Sequence, residues 1–448
     1  MNSDRKQRLL TLTPERLADA LLELAARDDA ADDLVERMIA TPWENIERFR
    51  KRLAGIKRSR RFIRWGESAA FARELLALLQ DVQAGVSDPR TGAELVAAFY
   101  ECDKGALGNC DDSSGHVGDV FRHDARELFV HYASRCDEKE WLGDLVYKVS
   151  RTDDYGVRDA LVKCAIDYLP EPVIRTMVKR FQKMADGESD EYHKRHWLGL
   201  AESLARQLKD APLFERTRRA SWGSLSTAAC VDIARVYLES GDGQTALAWL
   251  EKIPVTENFM AEDRDSLLLE VHGRLGNPAR QADVAWRIFR RHRSLASLTR
   301  LLDVIGSDQR DAVVAGEVAA ILGEDRFSPG DAAFLVEVER PDDAENYLLR
   351  HADALNGDDY SGLLPLAEAM EQSGRHLCAS LLYRALLDSI LRRAQTKTYP
   401  HGARYLRKLD KLAGTITDWR TFESHDFYKE NLRLNHGRKS SFWSRYGE

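Results

Sequence analysis

Three places in the 448-residue sequence gather side chains that could do chemistry. The first is Asp111-Asp112-Ser113-Ser114-Gly115-His116, where Asp111, Asp112, Ser114 and His116 offer oxygen and nitrogen ligands to a metal ion. A calcium loop alternates its ligands, turns on a glycine and closes on a distant glutamate. That spacing is not met, so a turn whose Ser or Asp caps a helix over residues 117–131 is the simpler expectation. The second is His193 and His196, three apart on one helix and able to share a metal, but without a thiol or carboxylate in the motif to complete a site. Histidines on a polar helix face are the plainer expectation. The third is a charge run. Arg48, Arg50, Lys51, Arg52, Lys57, Arg58, Arg60, Arg61 and Arg64 fall in residues 48–64 with no acid among them, and Phe62 and Trp65 lie close by. Such cations follow a phosphate backbone while aromatics stack on bases. They serve equally to pair with acids of the same chain or of a neighbour.

No phosphate loop GxxxxGK[ST], dinucleotide fingerprint GxGxxG, zinc helix HExxH or nucleophile elbow GxSxG occurs. No catalytic residue, cofactor or resident metal is therefore expected, and an enzyme is not the expected class.

The elements that must position these groups read as helices throughout, with no convincing alternating strand run. The clearest unit is residues 363–383. Ala367, Met370, Gly374, Ala379 and Tyr383 have the small, large, glycine, small, aromatic spacing of a tetratricopeptide hairpin. Gly374 suits the left-handed residue that ends a helix, and the alanines let two antiparallel helices approach. Ala234, Tyr237, Gly241, Ala246 and Leu250 repeat those offsets, and Gly276, Ala282 and Trp286 repeat them with one extra residue after the glycine. Thr13-Pro14 and Thr41-Pro42-Trp43-Glu44 read as helix starts, the second a capping box. Single helices are expected over residues 71–82, 94–107, 141–149, 155–169, 172–184 and 192–208.

Hydrophobic residues make up 44% and charged residues 31%, a globular or solenoid balance rather than a disordered one. No apolar run reaches a membrane span and the first residues lack the apolar core of a signal peptide, so a cytoplasmic protein is expected. The six scattered cysteines form no CxxC pair and read as free, mostly buried thiols. The net charge of −7 is unevenly spread. Residues 301–391 hold 18 acids against 6 bases, and residues 392–448 hold 13 bases against 6 acids. Asp342, Asp343, Asp358 and Asp359 mark the acidic arc. They serve either as helix-start charges or as a surface for a basic partner. Arg433, Arg438, Lys439 and Arg445 mark the basic end.

Residues Tyr399–Leu409 (YPHGARYLRKL), Trp419 and Leu432–Trp443 (LRLNHGRKSSFW), with Leu12–Leu24 and Asp111–Phe121 (DDSSGHVGDVF), resemble a family of uncharacterised bacterial helical proteins, a domain of unknown function. The C-terminal part is also similar to that of SWIM-type zinc-finger proteins, which implies nucleic-acid or protein binding. Their CxC and CxH zinc ligands are absent here, so neither the zinc nor a function resting on it carries over.

The expected fold is all-α, a superhelical stack of antiparallel helical hairpins, tetratricopeptide-like in its second half. Residues 1–210 are expected to form an irregular helical array, 211–391 the hairpins, and 392–448 basic helices packed on them. The expected function is a non-enzymatic scaffold that binds a partner protein on its helical-repeat surface. The alternative is a nucleic-acid-binding protein using residues 48–64 and the basic C-terminus. No membrane association or small-molecule substrate is evident from the sequence.

Overall fold

The structure, a computed structural model, describes residues 2–447. It is all-α: helices pack in neighbouring antiparallel pairs, and among the described residues there is no strand. No helix among them is long and apolar enough to cross a membrane. The chain divides into two compact units, one ending at Met260 and the other starting at Ala261.

The first unit opens with helices α1 (Asn2–Leu9), α2 (Pro14–Ala25), α3 (Asp29–Ile39) and α4 (Pro42–Arg58). Their starts follow from local chemistry. The Thr13 hydroxyl accepts from Arg16 N at 3.4 Å, and Thr41 and Glu44 form the reciprocal capping box. Helix α5 (Ser68–Gly85) packs on α3 and α4 and buries Phe71, Leu75, Leu78, Leu79 and Val82. Helix α6 (Pro89–Tyr100) follows, and a short helix, Asp103–Leu107, leads into the Asp111–His116 loop. Gly92 of α6 sits against the Tyr132 ring, where a Cβ would come within 2.3 Å of it.

Three expected helices are broken. Residues 94–107 are not one helix: α6 ends at Tyr100 and the short helix starts at Asp103. The stretch after the Asp111–His116 loop is helical over His116–Asp119, widens to a π-turn over Val120–Ala125 and resumes over Arg126–Ala133. The buried Tyr100 hydroxyl donates to the Phe121 carbonyl within that π-turn at 2.7 Å, satisfying an acceptor left by the wider coil. Residues 155–169 are not one helix but two short pieces, Asp159–Val162 and Ala165–Asp167. Here the Asp153 carboxylate accepts from the backbone N–H groups of Tyr155, Gly156, Arg158 and Asp159, and Gly156 lies at φ +68°. Arg158 turns inward to a buried pair with Asp103 at 2.6 and 2.8 Å. A local carboxylate has taken the N–H groups that a helix would use.

The three glycine hairpins form with one closure. The residue after the glycine donates its N–H to the carbonyl five positions back: Asp242 to Tyr237 at 2.9 Å, Asn277 to His272 at 2.9 Å and Arg375 to Met370 at 2.8 Å. Gly241, Gly276 and Gly374 take φ of +92°, +67° and +75°. Ala367, Met370, Ala379 and Tyr383 are fully buried at the last of these contacts. In the second unit a continuous apolar core runs from Ala285 to Trp443. Tyr399 packs edge-on to Phe442, Tyr405 lies against Tyr383, and Trp419 covers the Arg384 guanidinium.

Candidate functional site

The basic run divides into two parts. Asp81, fully buried on α5, receives Arg37 at 3.0 Å and Arg48 at 3.2 Å, with Arg52 at 3.8 Å. Arg52 also forks onto Asp33, at 3.2 and 3.3 Å. A buried carboxylate demands such partners, and these arginines hold α3 and α4 against α5. Further along, Arg50 pairs with Glu47, Lys57 with Glu101 and Arg61 with Glu67, all near the surface. The remainder faces solvent. Among the described residues, the side chains of Lys51, Arg58, Arg60 and Arg64 are exposed and have no carboxylate partner; the Arg58 side chain only donates to the Ala54 carbonyl of its own helix, and Arg64 meets Glu67 through its backbone N–H alone. Phe62 and Trp65 stand out beside them, 59% and 63% exposed.

The 59–64 connection is not a free tail. Ile63 N donates to Asn109 O at 2.8 Å and Ile63 O accepts from Asp111 N at 2.9 Å, an isolated parallel bridge between Ile63 and Cys110. The Asn109 side chain donates to Ser59 O and Gly105 O. Two sequence candidates, residues 48–64 and the Asp111–His116 loop, therefore meet in one place. Beside them a cleft of about 490 Å³ opens between α4, the connection and α5. Ile56, Ile63, Phe71 and Leu78 line it, with Arg61 and Glu67 also on its wall.

The Asp111–His116 loop is occupied with its own backbone. Asp111 accepts from the Ser113 hydroxyl and N–H, which holds its carboxyl below the usual range. Asp112 caps the helix that starts at His116, accepting from Val117 N at 2.9 Å and Gly118 N at 2.8 Å. The Ser114 hydroxyl meets that of Ser68 at 3.2 Å, and the His116 side chain is exposed. Among the described residues, no group of three or more His, Cys, Asp or Glu side chains is placed to hold a metal ion. His193 and His196 turn to different carboxylates, Asp190 at 3.0 Å and Asp159 at 3.6 Å. The cysteines are free, and burial pushes the Cys102 thiol up to about 12 and the Cys164 thiol to about 11, far from a reactive thiolate.

In the second unit each of the four acids that mark the arc has an internal partner. Asp342 pairs with Arg375, and Asp343 pairs with Arg340 at 2.5 Å. Asp358 takes Ser389 and Arg392, and Asp359 caps the helix Tyr360–Gln372 through Gly362 N at 3.1 Å. Of the basic C-terminal residues, Arg438 is exposed and Lys439 is half-buried beside His436, while Arg433 lies over the Trp443 ring at 5.9 Å. The Arg445 carbonyl accepts from Arg407.

Sequence reasoning missed the Asp81 clamp, although a lone acid within the apolar face of α5 was its signal. The Ile63–Cys110 bridge left none, because a single bridge has no periodicity. A family model described as a family of unknown function (DUF6880) matches residues 2–445. No curated protein matches the chain at a significant level.

Proposed function

The chain belongs to the DUF6880 family, whose description names no activity, and from that starting point we propose that it is a non-enzymatic binding protein for single-stranded nucleic acid. The observation that carries this reading is the pinned connection 59–64 and its flanks. There Lys51, Arg58, Arg60 and Arg64 have no acid of their own and two aromatic rings stand exposed among them. Cations spaced along a loop neutralise phosphates, and exposed rings stack on unpaired bases, which a duplex does not offer. The neighbouring cleft, of mixed lining with Arg52, Arg61, Glu67 and Glu74 among its apolar side chains, has room for a base. The helical hairpins, tetratricopeptide-like in spacing, are the support in this reading, and the protein works in the cytoplasm. The likeness of the C-terminal segment to SWIM-type proteins lends it no zinc.

Four phosphate contacts predict that log K for a single-stranded oligonucleotide falls with log salt at a slope of about −3. Trp65→Ala and Phe62→Ala are each expected to cost about 1–3 kcal/mol of binding with the slope unchanged. Fluorescence anisotropy across a salt series measures both. A flat salt response, or equal affinity for duplex, would remove the reading.

A second observation favours a protein scaffold. A groove of about 570 Å³ lies between helices Pro329–Glu337 and Tyr360–Gln372, walled by Ala333, Val336, Pro365, Leu366 and Ala369. Its small apolar side chains suit an extended peptide better than the internally paired acids of the arc do. A protein that survives nuclease in a pull-down and is lost with Ala333→Arg supports this second reading; retention by that variant removes the groove from it.

A further inference from the structure

The helices at the start of the chain are well made but poorly covered. Thr13 and Asp28 cap α2 and α3, yet neither helix buries a single residue. The contrast with α5, which buries ten, is large. The apolar side chains left outside are big: Leu10 is 72% exposed, Ile39 70%, Trp43 68% and Met38 64%, with Leu9, Leu22 and Leu24 also more than half exposed. Grouped apolar exposure of this kind marks a contact surface.

The charges say what fits it. Residues 14–39 carry eight acids and three arginines. Of those arginines, Arg27 is paired to Glu23 and Arg37 is drawn in to Asp81. Phosphate and anionic lipid headgroups are therefore repelled. Helix α1 has the opposite sign, with Arg5, Lys6 and Arg8 against Asp4. One continuous stretch of chain thus holds a basic helix, apolar side chains and an acidic hairpin. A surface that meets itself across a two-fold axis must be self-complementary, each positive part facing a negative part of the other copy. We propose that α1–α3 and Trp43 form the interface of a homodimer. In it α1 of one copy lies on the acidic α2–α3 hairpin of the other, and Leu10, Met38, Ile39 and Trp43 pack between them.

The test is sedimentation velocity of the full chain over a concentration series. The wild type is expected to sediment as a dimer. Ile39→Glu and Leu10→Glu are each expected to weaken association more than tenfold while keeping the wild-type circular dichroism and melting temperature, because neither side chain is buried within the chain. Reversal of Arg5 and Arg8 to Glu weakens the dimer, and adding Asp29→Lys and Asp32→Lys restores it. A monomeric wild type at every concentration overturns the proposal, as does a dimer that Ile39→Glu leaves intact. Failure of the charge swap to restore association overturns the α1-on-hairpin arrangement. A monomer that binds a synthetic Leu/Lys amphipathic helix, and loses it with Ile39→Glu, also overturns the proposal and assigns the surface to a basic partner helix.

Discussion

Two arginine runs of similar density meet different fates. In the second unit, Arg287, Arg290, Arg291 and Arg293 crowd the end of one helix, and every one of them is consumed. Asp265, fully buried, takes Arg264 at 3.0 Å, Arg287 at 2.8 Å and Arg291 at 2.5 Å. Glu317 takes Arg290 at 2.8 Å and Arg293 at 2.9 Å, and Arg293 also reaches Asp331 at 2.8 Å. In the first unit, Asp81 consumes only the head of the run, Arg48 and Arg52, and the tail from Arg58 to Arg64 outruns the supply of acids. The difference lies in the neighbouring helices. A basic run is structural as far as buried carboxylates on adjacent elements reach, and becomes a surface beyond that point.

The largest effects should come from the carboxylates at the two centres. Asp265→Ala and Asp81→Ala each strand buried or half-buried guanidinium groups and are expected to cost about 3–5 kcal/mol in urea unfolding. A loss below about 1 kcal/mol for Asp81→Ala would break the comparison. The acid limb of stability sharpens it. Burial pushes the Asp265 carboxyl up, but hydrogen bonds from Arg287, Arg264 and Arg291 outweigh burial and hold it below the usual range. Its contribution is therefore present above the unfolded value near pH 4 and is lost as pH falls through the lower folded value. Asp265→Asn should flatten that limb.

Next comes the free tail. Arg58→Ala, Arg60→Ala and Arg64→Ala combined should change stability by no more than about 0.5 kcal/mol. The same triple change should make the salt slope of oligonucleotide binding shallower by about 2. Arg290→Ala in the other run should leave that slope untouched. The smallest effect belongs to the surface pairs of the same run: Arg50→Ala, which breaks the pair with Glu47, is expected to cost under about 0.5 kcal/mol.

Much of the fold was legible because glycine announces a left-handed helix end. The hairpins at Gly241, Gly276 and Gly374 were readable for that reason. Two further closures of the same geometry were not, because Lys209 and Glu339 take the left-handed position at φ +55° and +61°. There Asp210 N donates to Ala205 O at 3.0 Å and Arg340 N to Leu335 O at 2.8 Å. Relief of that strain, less the chain entropy of glycine, predicts that Lys209→Gly and Glu339→Gly each gain about 0.5 kcal/mol in thermal unfolding. Less of the candidate site was legible. The run 48–64 stood out as charge, but which cations face solvent depends on Asp33, Asp81 and Glu101, acids distant in sequence on other helices. The capping role of Asp112 was readable from its place before a helix. The exposed apolar side chains of α2 were not, because Leu17, Leu21 and Leu24 have the helical spacing of a buried stripe.

The Ile63–Cys110 bridge has a thermodynamic consequence. Fixing the backbone of one residue costs about 1–2 kcal/mol of conformational entropy. A basic segment that hung free would lose that entropy for each residue it ordered on meeting a ligand. Here the 59–64 connection is already ordered by folding at Ile63, tied to Asn109 and Asp111 just ahead of the Asp112 cap. Were the connection to take up a nucleic acid as proposed, its backbone at Ile63 would not have to be ordered on encounter, and that part of the entropic cost of binding would be absent.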